Sequence, residues 1–187
     1  MIREEVVDNV LKEDDLERLQ KLIMFNANFP WYLTDEIVQV GKTSPHDGWY
    51  GYHMFYETFD PERVNQGTYN PVNKLSLNYV NISSFTHALR PIVDVVNPKA
   101  IVRIKANFYS KTSEIIEAES HHDYDSDPPH QGAIFYLNTC NGFTRVNGEK
   151  VMSVANRLLY FDASKEHNSS NCSDEKGRFN INFNYYG

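Results

Sequence analysis

His121 and Asp123 stand two positions apart, and a further histidine, His167, follows well downstream. Together they offer two imidazole nitrogens and one carboxylate oxygen. That donor set suits a divalent iron, occupies one face of it and leaves other positions open for chemistry. In an extended segment residues i and i+2 point the same way, so His121 and Asp123 can share a cavity while His122 turns elsewhere. Spacing leaves alternatives open: His122 can replace His121 if the chain turns before Asp123, Asp125 can replace Asp123, and His130 can replace His167. A His-x-Asp tripeptide also arises from unrelated polar contacts, so its weight depends on the elements that would position it.

Those elements read mostly as strands. Residues 101–109 alternate, with Val102, Ile104, Ala106 and Phe108 on one face and Arg103, Lys105, Asn107 and Tyr109 on the other. The polar face suits either solvent or the mouth of a charged pocket. Residues 115–118 are a short run fit for a sheet edge. Residues 132–138 set Ala133, Phe135 and Leu137 against Ile134, Tyr136 and Asn138. Asn141-Gly142 and Asn147-Gly148 are tight-turn signals on either side of residues 143–146. Residues 157–161 and 178–183 are again strand-like, with His167 in a polar loop between them. Many short strands with compact turns and no βαβ rhythm argue for an antiparallel double sheet or barrel.

Upstream, Val6, Val7, Val10 and Leu11, then Leu16, Leu19, Leu22 and Ile23, recur at helical spacing. Residues 4–23 are therefore expected to form one or two amphipathic helices, with Glu13, Asp14 and Asp15 marking a start within them. Residues 38–40 read as an early strand, 41–48 as a loop and 61–71 as a surface loop or lid. In residues 49–55 the aromatic pattern of Tyr50, Tyr52, Met54 and Tyr56 fits one strand face, packing a sheet or lining a cleft that His46 and His53 could join. Phe85, Leu89 and Ile92 fit a short helix limited by Pro91 and Pro98. Trp31 and Trp49 suit either the core or the mouth of a cleft.

A chain of 187 residues suits one domain, with residues 1–99 as supporting helices and early strands and 100–187 as the β core. Eighteen basic against 25 acidic residues give a formal charge of −7. There is no basic footprint for a phosphate backbone, so nucleic acid is not an expected partner. No segment approaches the roughly 20 apolar residues that span a bilayer, and the charged N-terminus does not resemble a secretory segment. Cys140 and Cys172 are the only cysteines; they form no CxxC motif and are expected to be free, as in a reducing compartment. The expected setting is cytoplasmic, and the glycosylation sequons at Asn81, Asn168 and Asn171 are discounted accordingly.

Several motifs fall in a characteristic order. Arg103-Ile104-Lys105-Ala106-Asn107-Phe108-Tyr109 precedes His121-x-Asp123. Gly132-Ala133-Ile134-Phe135-Tyr136-Leu137-Asn138 comes next, then Asn141-Gly142-Phe143-Thr144 and Asn156-Arg157-Leu158-Leu159-Tyr160-Phe161. His167 and Arg178-Phe179-Asn180-Ile181-Asn182-Phe183 complete the order. Over residues 101–186 the chain resembles the iron(II)- and 2-oxoglutarate-dependent oxygenases, more narrowly their prolyl-4-hydroxylase-like branch, including small phage-encoded members.

The resemblance implies a mainly β fold, a double-stranded β-helix (jelly roll) with N-terminal helices supporting one sheet. It implies Fe(II) on His121, Asp123 and His167. Arg178, 11 positions after His167 (178 − 167), would hold the distal carboxylate of 2-oxoglutarate, for which a guanidinium fork is suited. Tyr109, Tyr136, Asn138 and Asn180 would be further cosubstrate-pocket residues, with Lys105 an alternative carboxylate contact and Arg157 structural. Many relatives carry a small hydroxyl residue where this chain has Asn180. Molecular oxygen and a peptide or small amino-acid-like substrate, peptidyl proline foremost, would be the reactants. Succinate and carbon dioxide would be released, with ascorbate as a supporting reductant, in a cytoplasm that includes that of a virus-infected bacterial host. The competing expectation is a noncatalytic jelly-roll module that binds a metal or an organic acid.

Overall fold

The computed structural model describes residues 3–34, 49–58, 80–123 and 130–187. The readings made for residues 38–40, 41–48 with His46, 61–71 and Asp125 lie outside them.

Strands β5 (Ala100–Ser110) and β11 (Gly177–Tyr186) pair antiparallel along nearly their whole lengths at the centre of an eight-stranded sheet. On one side follow β6 (Gln131–Tyr136), β9 (Arg157–Asp162) and β1 (Glu5–Asp8). On the other lie β3 (Tyr50–Thr58), β2 (Tyr32–Thr34) and β4 (Val80–Ile82). A three-stranded sheet of β10 (His167–Ser169), β7 (Phe143–Val146) and β8 (Glu149–Met152) faces it. Every described strand pair is antiparallel. This is a double-stranded β-helix.

Alternation along the strands decides which face does what. Ile104, Ala106, Ala133, Phe135, Leu158, Ile181 and Phe183 form the apolar face of the large sheet. Helix α1 (Glu13–Met24) covers it with Leu19 and Ile23, and α2 (Arg90–Val96), entered from a 3-10 turn at Thr86–Leu89, adds Ile92 and Val96. Each such side chain contributes roughly 1.5–3 kcal/mol over leaving it in water. The helices are thereby committed to one face, and the other is left for polar groups. That face carries Arg103, Lys105, Asn107 and Tyr109 from β5 and Arg178, Asn180, Asn182 and Asn184 from β11.

Three expectations change. Residues 5–8 form strand β1, not a helix: its backbone pairs with β9, and Arg157 forks onto the Asp8 carboxylate at 2.7 and 2.9 Å. Long-range pairing overrides the helical spacing of the valines. Asn9, in the left-handed region at φ 56°, ends the strand, and the helix starts at Glu13 with its three acids in the first turn. Second, Asn147-Gly148 (φ 52° and 82°) does turn β7 into β8, but Gly142 has no positive φ and Asn141-Gly142 is not such a turn. Third, His53 belongs to the apolar side of the sheet. It packs on Phe29 and Phe55 and bonds Pro30 O and Ser83 Oγ, both at 2.9 Å. Trp31 is on that side too, against Phe108 and Phe179, whereas Trp49 is exposed.

Candidate active site

His167 opens β10 instead of lying in a loop, and this is what brings it to His121. The two residues form an antiparallel bridge, His121 N to His167 O at 2.9 Å and His167 N to His121 O at 2.8 Å. Directly opposed residues of an antiparallel pair share a face, and the imidazole centroids are 4.7 Å apart. Asp123 continues along the same side, its N–H bonded to Ala163 O at 3.2 Å.

The donor atoms of His121, Asp123 and His167 all lie within 4.8 Å of one another. His121 Nε2 is 3.9 Å from Asp123 Oδ1 and His167 Nε2 is 3.8 Å from Asp123 Oδ2. These separations are too long for hydrogen bonds and short enough for one cation to be shared. His167 Nδ1 faces Lys165 O at 2.9 Å, and His121 Nδ1 faces Glu119 O at 3.5 Å. A carbonyl at Nδ1 favours the tautomer whose Nε2 lone pair is free for a metal. Burial, then the charge of His167, lowers the pKa of His121, so its imidazole stays neutral. The donor set therefore fits a divalent iron.

Burial works against an ionised Asp123. The Arg103 charge, with His167, the Asn184 hydrogen bond and His121, outweighs it and holds the carboxyl well below the usual carboxylate range. Arg103 Nη2 is 3.1 Å from Oδ1, and Asn184 Nδ2 donates to Oδ2 at 2.8 Å. Arg103 Nε in turn donates to Asn184 Oδ1 at 3.1 Å, and Asn182 Nδ2 reaches Oδ2 at 3.4 Å. The carboxylate is thus oriented by the two strands at the centre of the sheet.

Arg178 lies farther along the same face of β11. It is fully buried. Nη1 donates to Ser170 O at 2.9 Å and Nη2 to Thr144 Oγ1 at 2.6 Å, while Nε has no partner. Its guanidinium carbon is 5.3 Å from the Tyr109 ring centroid and 5.5 Å from that of Tyr136. Among the described residues no carboxylate pairs with it. A buried cation met only by neutral acceptors carries an uncompensated desolvation cost, and an organic carboxylate is the ligand that relieves it. Tyr136 Oη donates to Thr144 Oγ1 at 2.9 Å. Burial pushes the Tyr109 and Tyr136 phenols up, so both remain hydrogen-bond donors.

Beside the metal-type cluster, a cleft is lined by Tyr50, Lys105, Asn107, Tyr109, Asn180 and Asn182 together with the three ligand candidates; Arg178 and Tyr136 do not line it and meet it through Tyr109, whose ring flanks the guanidinium. The polar face of residues 101–109 thus lines a pocket and not open solvent. Tyr50 Oη donates to Asn107 Oδ1 at 2.6 Å and Asn107 Nδ2 to Asn180 Oδ1 at 2.8 Å, which ties Asn180 into the wall. Burial, then the Arg103 charge, pulls Lys105 down to about 8.

Asn138 stands elsewhere. Its Nδ2 donates to Gly177 O and its Oδ1 accepts from Phe179 N, both at 2.9 Å. It braces the strand that carries Arg178 and does not line the cleft. His122 is exposed, and His130 is buried beside Asn184, outside the ligand cluster. Arg103, Asn184 and Thr144 were not singled out by spacing. The polar positions of Arg178-x-Asn180-x-Asn182-x-Asn184 were the available signal.

Gly142, expected in a tight turn, has another use. A Cβ there would sit 2.4 Å from Asn171 O and 2.7 Å from Arg178 Cδ. Gly142→Ala is expected to destabilise the protein by about 1–3 kcal/mol, seen as a lower urea midpoint with an unchanged m-value.

No protein-family model matches the sequence, and no curated protein matches it. Solved structures do match in fold. A Pseudomonas putida prolyl-4-hydroxylase aligns with a TM-score of 0.55 at 12% identity, covering 100% of this chain and 94% of that one. A Trichoplax adhaerens prolyl hydroxylase, in complex with a hypoxia inducible factor oxygen degradation domain peptide fragment, gives 0.60 at 12% identity over 97% and 82%. The non-heme alpha ketoglutarate dependent epimerase SnoN of nogalamycin biosynthesis gives 0.59 at 12% identity over 99% and 78%. Likeness at such identity establishes the shared fold.

Proposed function

We propose that this chain is an iron(II)- and 2-oxoglutarate-dependent dioxygenase that hydroxylates a prolyl residue or another peptide or amino-acid-like substrate and releases succinate and carbon dioxide. The observation that carries the reading is Arg178. A fully buried guanidinium with an unpartnered Nε and no carboxylate among the described residues stands on the strand face that also holds Asp123 in place. The fold, shared with two prolyl hydroxylases, supports it. The same fold in an epimerase keeps the reaction on substrate a matter for experiment.

His121, Asp123 and His167 would hold the iron, which when bound supplies the redox centre that couples decarboxylation of the 2-oxo acid to oxidation of a substrate carbon. The chain's own work is positioning. Lys165 O and Glu119 O orient the two imidazoles, and Arg103 and Asn184 keep the Asp123 carboxylate ionised and aimed. Arg178 receives the distal carboxylate, with Tyr109 and Tyr136 flanking its guanidinium. Asn107 and Asn180 hold the wall between. Ascorbate as a supporting reductant and a cytoplasmic setting are part of the same proposal.

Under anaerobic conditions 2-oxoglutarate is expected to bind the iron-loaded protein one to one. Admitting oxygen together with a panel of peptides and small metabolites should yield succinate and one product heavier by a single oxygen atom. Failure to bind 2-oxoglutarate would sink the proposal; binding without succinate from any substrate would favour a noncatalytic organic-acid module.

A further inference from the structure

We propose that Cys140 and Cys172 form a redox modification site, a thiol pair that hydrogen peroxide converts reversibly to an intramolecular disulfide tying together the two loops around Arg178. The sulfur atoms and the Asp174 carboxylate lie within 4.8 Å of one another. Cys140 sits in the connection from β6 to β7 and Cys172 in that from β10 to β11, so residues far apart in sequence have been brought side by side. Both are buried, yet Thr139, Asp174 and Glu175 beside them are exposed, which puts the sulfurs just below the surface.

The two connections are already clasped. Asn141 N donates to both Asp174 carboxylate oxygens at 3.0 Å, Asn141 Nδ2 to Ser173 Oγ at 2.9 Å, and Ser173 N to Asn141 Oδ1 at 3.0 Å. These bonds hold the flanking backbones in register for a cross-link. The same connections cradle Arg178: Ser170 O accepts from its Nη1, and Gly142 is the position where any Cβ would strike its Cδ. A bond between Cys140 and Cys172 therefore fixes both walls of the guanidinium's pocket.

The chemistry favours a defined order of events. A hydrogen bond from the Cys172 thiol, helped by the Gly142 N–H, Ser153 and the Arg178 charge, lowers the pKa of Cys140 against its burial. The same interaction and burial push Cys172 up, so it keeps its proton. Cys140 is then the nucleophilic thiolate and Cys172 the resolving thiol. The Cys140 sulfur attacks one peroxide oxygen and the O–O bond breaks; the departing hydroxide takes a proton and leaves as water. The Cys172 sulfur next attacks the sulfenic sulfur. The S–S bond forms, the S–O bond breaks, and the thiol proton leaves with the hydroxide as a second water. Two electrons pass from the two sulfurs to the two peroxide oxygens. A metal is the weaker fit. Asp174 already accepts from Asn141, and two thiols with one exposed carboxylate fall short of the four donors of a closed zinc site.

The test reads sulfur chemistry and is independent of any oxygenase activity. Purified reduced protein is treated with stoichiometric hydrogen peroxide, denatured, alkylated and analysed by mass spectrometry. The expected product is a monomer about 2 Da lighter, with neither cysteine alkylated and one peptide pair cross-linked through Cys140 and Cys172. Its Tm should rise by about 5–10 °C, and dithiothreitol should reverse every change. Cys140→Ala and Cys172→Ala should each abolish the mass loss. Thiols that both stay alkylatable after peroxide, sulfinic acid on Cys140 without a cross-link, or disulfide-linked dimers would each overturn the proposal.

Discussion

Asp123→Ala is expected to abolish iron binding and turnover and, in addition, to lower stability by about 3–5 kcal/mol, the usual cost of removing one member of a buried ion pair. The first effect follows from the donor count: two imidazoles without the carboxylate no longer match the set that iron(II) uses. The second follows from what surrounds the carboxylate. The side chains of Asp123 and Arg103 are only 8% and 12% exposed. Without Asp123, the largely buried Arg103 charge loses that carboxylate, and Asn184 and Asn182 lose a shared acceptor. The double variant Arg103→Met/Asp123→Ala is expected to recover much of the stability and none of the iron binding. Metal analysis of the reconstituted proteins and urea unfolding read the two effects separately. Iron content and turnover at the unmodified level in Asp123→Ala would refute the ligand set.

Arg178→Met is expected to separate the same two properties in the opposite sense. It removes charge and fork while keeping much of the volume. Charge-assisted hydrogen bonds are worth roughly 1.5–3 kcal/mol each, so losing two should weaken 2-oxoglutarate binding at least ~100-fold. Stability should stay within about 1 kcal/mol of the unmodified protein, because a buried guanidinium without a carboxylate contributes little to folding. Ser170 O and Thr144 Oγ1 lose a donor, and the fully buried cation is gone. Titration calorimetry with 2-oxoglutarate gives the first number and urea unfolding the second. A variant that binds as tightly as the original, or one that loses several kcal/mol of stability with binding unchanged, would make Arg178 a structural residue.

The contrast between these variants shows how the site divides between local and long-range causes. Asp123 is held by the partner strands of the sheet, and its removal disturbs them. Arg178 is held by neutral groups, Thr144 on β7 and Ser170 just after β10, and no carboxylate among the described residues pairs with it. Neither fact follows from residue type alone.

What the sequence determined by itself is whatever depends on the two-residue period of an extended chain. It placed His121 and Asp123 on one side and His122 on the other. It separated Ile104 and Ala106 from Lys105 and Asn107, and it aligned Arg178 with Asn180. It also marked the Asn147-Gly148 hairpin, whose positive φ values are a local requirement of the turn. Tertiary structure decided everything that needs a partner from elsewhere in the chain. Residues 5–8 became a strand because β9 offered an edge, against their helical spacing. His167 reached His121 through a backbone bridge, and Arg103 on β5 met Asp123 from the segment after it. Asn138 turned its amide to the backbone of β11, Gly142 made room for Arg178, and Cys140 met Cys172 between two connections. The reason is physical. Alternation is set by the steric geometry of neighbouring peptide units, whereas register, burial and charge pairing are set by hydrogen bonds and packing between segments that only the closed pair of sheets brings together.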